Sequence, residues 1–202
     1  MPMIENSLLV LLLWAAIAYL IGSIPFGVVV ARVMGLGNLR DIGSGNIGAT
    51  NVLRTGSKPA AAATLILDAA KGAVVLLLAR TLAGEDAAQI SALVAMIGHC
   101  FPVWLKFKGG KGVATFLGIL LALAWPVGIA ACVFWLIGAG VTRMSSMGGL
   151  ASAAISSVPV VLMGYGTAYI LCILLTVIIF WRHGENIARI RAGTEPKIGQ
   201  KK

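Results

Sequence analysis

Charged residues are scarce in this chain of 202 residues. They make up 11% of it, while apolar residues make up 59%. A soluble domain carries roughly 25% charged residues, which it needs to cover its water-facing surface. The shortage excludes a soluble enzyme, a disordered chain and a nucleic-acid-binding domain, and it predicts an integral membrane protein with no nucleic-acid partner. Because the apolar runs lack the period-2 polar alternation of barrel strands, we expect them to be helices.

Residues suited to metal binding or to covalent catalysis are few as well. The seven Asp and Glu residues are scattered and there are only two His, which disfavours metal-dependent phosphoryl transfer. We therefore predict no metal and no other cofactor. The three cysteines, Cys100, Cys132 and Cys172, lack the spacing of a zinc site, and we expect them to be buried small side chains. A GxSxG nucleophile motif is also absent.

The apolar runs predict an all-α integral membrane protein with about seven transmembrane helices, two of them short, and glycine-rich cytoplasmic loops. A span needs about 20 apolar residues. The fourth and fifth segments are the short ones, and they could instead form one helix kinked at Pro126. The predicted segments are 7–34, 59–80, 88–107, 112–124, 126–141, 147–163 and 166–182.

The basic residues give the orientation of these segments. The net charge is +9, and with seven spans 14 of the 16 Lys and Arg residues fall on one side, in the stretches 32–58, 106–111, 142–146 and 182–202. Cytoplasmic loops are enriched in Lys and Arg. We therefore place these stretches in the cytoplasm and the N-terminus outside. A single crossing over 112–141 would move the basic C-terminus to the opposite side and break this rule.

The organisation of the chain is simple. The start, Met1–Glu5, has no basic segment before its long apolar run, so we expect no cleaved signal peptide and a first segment that stays as a membrane anchor. No repeat or low-complexity segment divides the sequence. We expect one transmembrane domain over residues 1–202.

The first cytoplasmic loop is rich in glycine and small polar residues. Residues 40–54 read RDIGSGNIGATNVLR. Glycines let successive backbone N–H groups turn toward an anion, and Arg54 can bind phosphate through two hydrogen bonds. We expect Gly45 and Gly48 to need a positive φ or a close backbone approach. The residues predicted to bind substrate here are Ser44, Gly45, Asn46, Gly48, Thr50 and Asn51.

Two other interpretations of this loop compete with phosphate binding. Gly43–Gly48 matches GxGxxG, with Asp68 20 residues further on. A dinucleotide-binding motif should follow a buried strand in a βαβ unit, whereas this one follows a membrane span and Asp68 lies inside the next span. We reject that interpretation. A flexible connecting loop remains the alternative.

The second cytoplasmic loop also suits phosphate. Residues 98–115 read GHCFPVWLKFKGGKGVAT, in which Lys106, Lys108 and Lys111 bracket Gly109 and Gly110. Lys111 stands at the start of a predicted helix, where the helix dipole favours an anion. The motif is not a P-loop, since GxxxxGK[ST] is absent. The positive-inside rule alone would explain the lysines, but not the Gly-Gly-Lys-Gly sequence.

Other polar residues lie at the ends of later segments. If the last helix continues past residue 182, Arg182, His183 and Asn186 share one of its faces, and the histidine is either structural or functional. Asp68 and Lys71 are spaced i,i+3 inside a span, which favours a structural pair in which each neutralises the other.

Four stretches of the chain resemble one family, the bacterial membrane-embedded glycerol-3-phosphate acyltransferases that use acyl phosphate. They are SIPFG at 23–27, GSGNIGATNVLRTG at 43–56, the stretch 98–115 and RHGENIARI at 182–190. Their order and spacing fit over essentially the whole chain, and GSGNxGATN and FKGGKGVAT are long enough to be specific. The resemblance implies seven spans in a bacterial inner membrane and an active site on the cytoplasmic face.

The resemblance also implies a reaction. A fatty acyl group passes from acyl phosphate to the sn-1 hydroxyl of glycerol 3-phosphate, giving 1-acyl-glycerol 3-phosphate (lysophosphatidic acid) and phosphate, the first step of phospholipid synthesis. Because acyl phosphate is already activated, the enzyme only has to hold two phosphates and place the hydroxyl on the acyl carbonyl. The hydroxyl proton could pass to the leaving phosphate or to His183. Membrane lipid and an enzyme that produces acyl phosphate are the implied partners.

The family's functional residues carry over onto matching positions. The loop Gly43–Asn51 is implied to cradle the head of acyl phosphate. Arg54, Lys111, His183 and Asn186 match family positions linked to glycerol 3-phosphate or to catalysis. We predict these four as the catalytic residues, with Lys108, Gly109 and Gly110 as further substrate-binding residues.

One part of the family pattern differs in this chain. The family has a functional serine near the position of Arg143, and here residues 144–149 read MSSMGG, which departs from that pattern. Ser145 and Ser146 are both kept as candidate substrate-binding residues. Arg143 is either a positive-inside charge or a further phosphate ligand.

A transporter for organophosphates is the competing function. Broken helices and glycine-rich loops could serve one. However, no inverted repeat is visible in the sequence, and the glycines lie at one edge of the predicted bundle rather than at its midplane.

Overall fold

The computed structural model describes residues 1–199, and within that range it is all-helical. The predicted cytoplasmic residues Lys201 and Lys202 lie outside it. Short 3₁₀ turns at Leu39–Asp41, Val103–Leu105 and Gly166–Ala168 join some of the helices. The α-helices are α1 (Leu8–Gly22), α2 (Phe26–Val33), α3 (Ala49–Leu53), α4 (Lys58–Ala83), α5 (Glu85–Cys100), α6 (Val113–Leu123), α7 (Trp125–Thr142), α8 (Ser145–Ile155), α9 (Ser157–Leu162), α10 (Tyr169–Arg182) and α11 (Gly184–Arg191).

The predicted class of an all-α integral membrane protein is confirmed. Among the described residues, five helical segments are long and apolar enough to cross a membrane, and the bent pair formed by α10 and α11 could make a sixth. Large apolar side chains such as Leu9, Leu82 and Leu136 are exposed on the outside of the bundle. In a membrane this surface faces lipid rather than water.

The fourth and fifth predicted segments differ from each other in length. The fourth is α6, which has only 11 residues and is about 16 Å long. The fifth, α7, is longer than the sequence predicted. It runs for 18 residues from Trp125, and Pro126 lies in its first turn. The two helices form a hairpin and not one kinked helix, since a Cβ on Gly128 would lie 2.5 Å from the Cα of Leu121.

Helix α6 is short because it begins deep inside the bundle. It runs parallel to α4: Thr115 Oγ1 donates to the backbone oxygen of Asp68 at 2.8 Å, near the start of α6. At its end, Arg80 donates to the backbone oxygens of Ala122 and Leu123. Asp68 lies about 15 Å along α4 from its first residue, at about 1.5 Å per residue. The glycine-rich turn before α6 therefore descends between the other helices to that depth.

The first predicted span, 7–34, is broken into two helices. Helix α1 ends at Gly22 and α2 begins after Pro25, which lacks the N–H that a continuous helix would need. Close packing fixes α1 against α5: a Cβ on Gly22 would lie 2.3 Å from the backbone oxygen of Ala95, so only glycine allows this approach. Small residues at helix crossings commonly allow such packing in membranes.

The two ends of the bundle differ in charge. At one end, Asp86 accepts hydrogen bonds from the backbone N–H groups of Glu5 and Asn6, and Arg80 pairs with Glu85 at 2.8 Å. The described parts of the four predicted cytoplasmic stretches lie at the other end. The cysteines are free; Cys100 and Cys172 are buried as predicted, whereas Cys132 is half-buried.

Candidate active site

The basic end of the bundle contains a cavity of about 350 Å³. One part of its wall is polar and carries the side chains of Arg54, Lys111 and His183. The other part is apolar and comes from α4, α6 and α7. The lining residues are Ser44, Asn46, Gly48, Ala49, Thr50, Asn51, Arg54, Leu65, Asp68, His99, Lys111, Gly112, Val113, Ala114, Leu117, Cys132, Trp135, Leu136, Ser145, Ser146, His183, Asn186, Glu195 and Pro196.

Asn51 holds the first glycine-rich loop in its conformation. Its side chain is 2% exposed. The Oδ1 atom accepts from the backbone N–H of Ser44 at 3.1 Å and from Arg54 NH1 at 3.2 Å, while Nδ2 donates to the backbone oxygens of Leu39 and Asn46. All the polar capacity of this amide is therefore used to shape the loop and to orient Arg54.

The glycines of this loop do not share one role. Gly43 has φ +54°, and a Cβ there would lie 2.5 Å from Arg54 Cδ and 2.7 Å from Asn51 Oδ1. Gly45 also has a positive φ, as expected. Gly48 does not: its φ is −80°, and the nearest atom to a Cβ would be 3.5 Å away. The expectation for Gly48 was wrong, because this residue lies in extended backbone just before α3.

Lys111 and the C-terminal segment form a continuous hydrogen-bond network. Lys111 Nζ donates to Asn186 Oδ1, and Asn186 Nδ2 donates to Glu195 Oε1 at 2.6 Å. Ser146 Oγ donates to the same carboxylate oxygen at 2.7 Å, and Arg189 Nε donates to Oε2 at 2.7 Å. The network joins the turn before α6 to the start of α8 and to the chain beyond α11.

The charges of this network are set by burial and by its hydrogen bonds. Burial lowers the pKa of Lys111 to about 8, and the nearby Arg189 charge acts in the same direction, against Glu195. Burial acts to raise the pKa of Glu195, but hydrogen bonds from Ser146, Asn186 and Arg189 hold this pKa below its usual value. At neutral pH the network therefore contains an ammonium group with a reduced pKa and an ionised carboxylate.

His183 is a neutral base with a defined tautomer. Its Nδ1 lies 2.8 Å from the backbone oxygen of Ile179, and since a carbonyl oxygen only accepts hydrogen bonds, Nδ1 carries the proton and Nε2 has a free lone pair. Burial lowers the pKa of His183 to about 4; the hydrogen bond to Ile179 opposes this shift and the Lys111 charge adds to it. The imidazole is thus uncharged at neutral pH and contributes to the cavity wall.

Two helices begin at the cavity without a side-chain cap. The first residues of α6, Val113 and Ala114, and those of α8, Ser145 and Ser146, all line it. The first N–H groups of a helix lack intrahelical partners, and the helix dipole makes this end positive. Together with Arg54 and Lys111, these N–H groups make the polar wall suitable for phosphate groups.

Comparisons with known proteins identify the family. The family described as Glycerol-3-phosphate acyltransferase matches residues 12–193. A protein named glycerol-3-phosphate acyltransferase from Roseobacter denitrificans is 67% identical over 201 residues, which cover 99% of this chain and 100% of the relative. One of the same name from Ruegeria pomeroyi is 63% identical, over 100% of this chain and 99% of the relative. The chain belongs to the glycerol-3-phosphate acyltransferase family.

A solved structure of this acyltransferase family shares the fold. PlsY (YgiH), described as an integral membrane glycerol 3-phosphate acyltransferase in its glycerol 3-phosphate form, superposes with a TM-score of 0.88 at 35% identity. The match covers 94% of this chain and 96% of the other. The resemblance to this family in the sequence motifs is thereby confirmed, as is the prediction of an integral membrane enzyme that acylates glycerol 3-phosphate.

The structure brings most of the predicted site residues of the acyltransferase together, but not all of them. Gly45, Lys108, Gly109, Gly110 and Arg143 do not line the cavity. The N–H groups of both glycines at 109 and 110 donate to backbone oxygens of α5, so they are not free to bind an anion. The carbonyl of Arg143 accepts from the N–H of residue 198.

The predicted common face of Arg182, His183 and Asn186 was wrong. The helix bends by 58° between α10 and α11, at His183. Arg182 donates to the backbone oxygens of Gly109 and Gly110 at 3.2 Å and does not line the cavity. Arg182 thus holds the turn before Lys111, while His183 and Asn186 contribute to the cavity wall.

Several cavity residues were missed by the sequence analysis. Asp68 was interpreted only as the partner of Lys71, and that ion pair is present at 2.9 Å, but Asp68 also lines the cavity. His99 lies in the same motif as Lys111 and could have been noticed there. Glu195 gave no local signal, because a turn after α11 brings it back to Ser146. Trp135 belongs to the apolar wall that α7 contributes, and it could not be singled out because the sequence of α7 looks like that of any lipid-facing helix.

Proposed function

We propose that this acyltransferase uses acyl phosphate as donor and acylates the sn-1 hydroxyl of glycerol 3-phosphate, which gives 1-acyl-glycerol 3-phosphate and inorganic phosphate. The observation that carries the proposal is the composition of the cavity, in which a cationic wall adjoins an apolar wall formed by residues such as Leu117 and Trp135. Both substrates carry a phosphate group and one carries a long acyl chain. The cavity suits this combination.

The two phosphate groups would bind to different parts of the polar wall. In our proposal, Arg54 and the cavity-lining side chains of Asn46 and Thr50 hold the head of acyl phosphate. The N–H groups of Ser44 and Gly45 are hydrogen-bonded within the loop and shape it instead.

Lys111 and the free N–H groups at the starts of α6 and α8 hold the phosphate of glycerol 3-phosphate, with the hydroxyl of Ser145 as a further donor. The Ser146 hydroxyl, by contrast, donates to Glu195. Charge-assisted hydrogen bonds of this kind are about twice as strong as neutral ones.

Lys108, Gly109, Gly110 and Arg143 act outside the cavity in this proposal. Gly109 and Gly110 shape the turn that carries Lys111, because a Cβ on Gly110 would lie 2.2 Å from His99 Nε2. The exposed side chains of Lys108 and Arg143 supply positive charge at the same end of the bundle. Such charges attract anionic substrates to a site without contacting them.

His183 would accept the proton of the nucleophile. The sn-1 hydroxyl attacks the acyl carbonyl carbon while His183 Nε2 takes its proton. The bond between the carbonyl carbon and the phosphate oxygen then breaks, and the departing phosphate takes the proton from His183. Asn186 keeps Lys111 in place through its Oδ1 atom. In the described residues no serine hydroxyl is hydrogen-bonded to His183, which supports direct transfer over an acyl-serine intermediate.

The acyl chain would lie along the apolar wall and reach the lipid between helices. Leu65 of α4 and Leu136 of α7 line the cavity and are also 48% and 64% exposed on the outside of the bundle. An apolar chain that enters here needs no passage through water. We place the protein in the bacterial inner membrane, with its N-terminus outside and its C-terminus and cavity on the cytoplasmic side, where an enzyme that produces acyl phosphate would supply the donor.

The donor is tested with purified protein, glycerol 3-phosphate and either palmitoyl phosphate or palmitoyl-CoA. We expect lysophosphatidate and one equivalent of phosphate from palmitoyl phosphate only. His183→Ala should retain binding of glycerol 3-phosphate but lose at least 100-fold in kcat, as is typical when a general base is removed. Acyl transfer from palmitoyl-CoA but not from palmitoyl phosphate would overturn the proposal that acyl phosphate is the donor. Uptake of glycerol 3-phosphate into vesicles without acyl transfer would favour the organophosphate transporter.

A further inference from the structure

A second cavity lies at the basic end of the bundle and has no part in the reaction proposed above. It has a volume of about 430 Å³ and is formed by α2 and by the chain that follows it; we call it the α2 cavity. Buried apolar residues such as Ala31 and Leu39 line one part of it, and the exposed residues Arg32 and Arg40 line another. Among the described residues, it shares no lining residue with the active-site cavity.

The positive charge of the α2 cavity is not neutralised by the protein. Within residues 1–199, Arg32 makes no hydrogen bond and no ion pair. Arg40 donates from NH1 to the backbone oxygen of Gly45 at 3.1 Å and from NH2 to that of Lys108. Since a guanidinium has five N–H donors, Arg40 keeps others for a ligand. The carboxylate closest to Arg40 in sequence, Asp41, does not line the cavity. These charges match an anion.

The α2 cavity is continuous with the lipid-facing surface. Val28 and Arg32 are spaced i,i+4 on α2 and both line the cavity, so they share one face of the helix. Val29 and Val33 lie on the adjacent face and are 42% and 80% exposed. Helix α2 ends the apolar stretch Leu8–Val33, which is long enough to cross a membrane. An acyl chain that packs against the two exposed valines would thus bring its headgroup to the cavity.

The α2 cavity is also close to the active site. The buried residue Ile47 lines the α2 cavity, while its neighbours Asn46 and Gly48 line the active-site cavity. Through its two hydrogen bonds to backbone oxygens, Arg40 joins the first glycine-rich loop to the second. A ligand that binds Arg40 in this arrangement stabilises the arrangement by mass action. Occupancy of one cavity therefore affects the loops that form the other.

We propose that the α2 cavity binds the headgroup of an anionic phospholipid, and that the bound lipid stabilises the contact between the two glycine-rich loops. The phosphate group lies between Arg32 and Arg40, since guanidinium groups form strong charge-assisted hydrogen bonds with phosphate. The acyl chains run along the exposed valines of α2. The surrounding membrane thereby regulates the acyltransferase, with a higher rate where anionic lipid is abundant.

Binding is measured by native mass spectrometry of the purified protein with dioleoylphosphatidylglycerol or the zwitterionic dioleoylphosphatidylcholine. We expect the wild type to retain phosphatidylglycerol about tenfold better, which corresponds to one charge-assisted hydrogen bond. Arg32→Gln should lose this preference because it removes the unpaired charge. Arg191→Gln is the matched control and should keep it. Arg191 is an exposed arginine at the same end of the bundle and lines neither cavity.

The effect on catalysis is measured in phosphatidylcholine vesicles with and without phosphatidylglycerol. Saturating palmitoyl phosphate and glycerol 3-phosphate remove the influence of surface potential on substrate concentration. We expect the rate of the wild type and of Arg191→Gln to rise several-fold with phosphatidylglycerol. Arg32→Gln should match the wild type in phosphatidylcholine alone but show no rise.

Each alternative gives a different result. If Arg32→Gln retains phosphatidylglycerol as well as the wild type does, the proposed site is overturned. If glycerophosphoglycerol, the same headgroup without acyl chains, binds as tightly as the lipid, the cavity binds a free phosphodiester and the assignment to a lipid is overturned. Lipid binding without a rise in rate overturns the coupling to the loops. If the proposed donor is wrong, the wild type still binds phosphatidylglycerol but acylates nothing from palmitoyl phosphate.

Discussion

The structure distinguishes Lys111, which lies inside the cavity, from Lys106, which only adds positive charge at the surface. The Nζ atom of Lys111 is hydrogen-bonded to Asn186 inside the cavity, whereas Lys106 is exposed at the surface of the same loop. We expect Lys111→Ala to raise the KM for glycerol 3-phosphate by roughly 10- to 150-fold, since a charge-assisted hydrogen bond contributes about 1.5–3 kcal/mol. Lys106→Ala, which removes the same charge, should change the KM little. If steady-state kinetics showed the same change in KM for both variants, the effect would be due to the total positive charge and not to a specific role of Lys111.

The reduced pKa of Lys111 predicts an alkaline limit on activity. Its pKa is about 8, so the ammonium group that we propose to bind phosphate is lost as the pH rises through this value. The dependence of kcat/KM on pH reports the free enzyme, and we expect it to fall above about pH 8. His183, with a pKa of about 4, should produce no acid limb above pH 5. In Lys111→Arg the alkaline limb should move well above pH 9; an unchanged limb would assign it to another group.

The sequence predicted the residues whose chemistry is visible in their own motif. Arg54 and Lys111 could be predicted because basic side chains beside glycine-rich turns are a local signal of phosphate binding, whereas Asn186 came from its match to the family motif. All three line the cavity. Asn51 was predicted to bind substrate, and the structure shows its whole amide engaged with the loop. Glu195 could not be found, since its contact with Ser146 joins positions 49 residues apart and depends on the bend after α10.

The first glycine-rich loop is the element in which backbone geometry matters most. Gly43→Ala would place a methyl group against Arg54 and Asn51 at a positive φ. We expect at least a tenfold loss of kcat/KM for palmitoyl phosphate, because Arg54 would be displaced by a contact that the loop cannot relieve; even a non-glycine residue without clashes costs about 1–2 kcal/mol at such a φ. The measurement is steady-state kinetics on detergent-purified protein.

Gly56→Ala is the control for that prediction. Gly56 has φ +91°, but no atom lies within 4 Å of the position of its Cβ, so the variant carries the strain without the displacement. Its thermal stability should fall while its activity stays near that of the wild type. An equal loss of activity in both variants would show that backbone strain alone, and not the position of Arg54, is responsible.

At the level of helices, the sequence predicted where the apolar segments lie better than it predicted the breaks and bends within them. Apolar length and the basic loops located the segments because both signals extend over many residues. The break after Gly22 and the bend at His183 depend on what the neighbouring helices can satisfy. Trp104 Nε1, for example, donates to Ser23 Oγ at 2.8 Å, directly after the end of α1. Contacts between residues so far apart in the chain leave no periodic pattern in the sequence from which they could be predicted.

The topology of the whole molecule remains a prediction, as does a single domain over residues 1–202. Cysteine labelling in intact cells and in inverted membrane vesicles would test the topology, with Cys100, Cys132 and Cys172 replaced. We expect Ser57→Cys, at the start of α4, to react with a membrane-impermeant maleimide only from the cytoplasmic side. Glu5→Cys, at the opposite end of the bundle, should react only from outside. The reverse labelling pattern would show that the protein has the opposite orientation in the membrane.

In the proposed topology, the depth at which α6 begins would expose the substrate to the membrane potential. The start of α6 lies about 15 Å along α4, a helix of 26 residues and about 39 Å. In that topology, a dianionic phosphate that travels from the cytoplasm to Lys111 would cross part of the transmembrane field. A charge that crosses the whole field changes its energy by about 2.3 kcal/mol per 100 mV. For two charges over about a third of the field, a cytoplasm-negative potential would assist binding by on the order of 1 kcal/mol per 100 mV. In proteoliposomes, the KM for glycerol 3-phosphate should then fall several-fold when the side bearing the active site is made negative, so an energised membrane would itself favour the first acylation of its lipids.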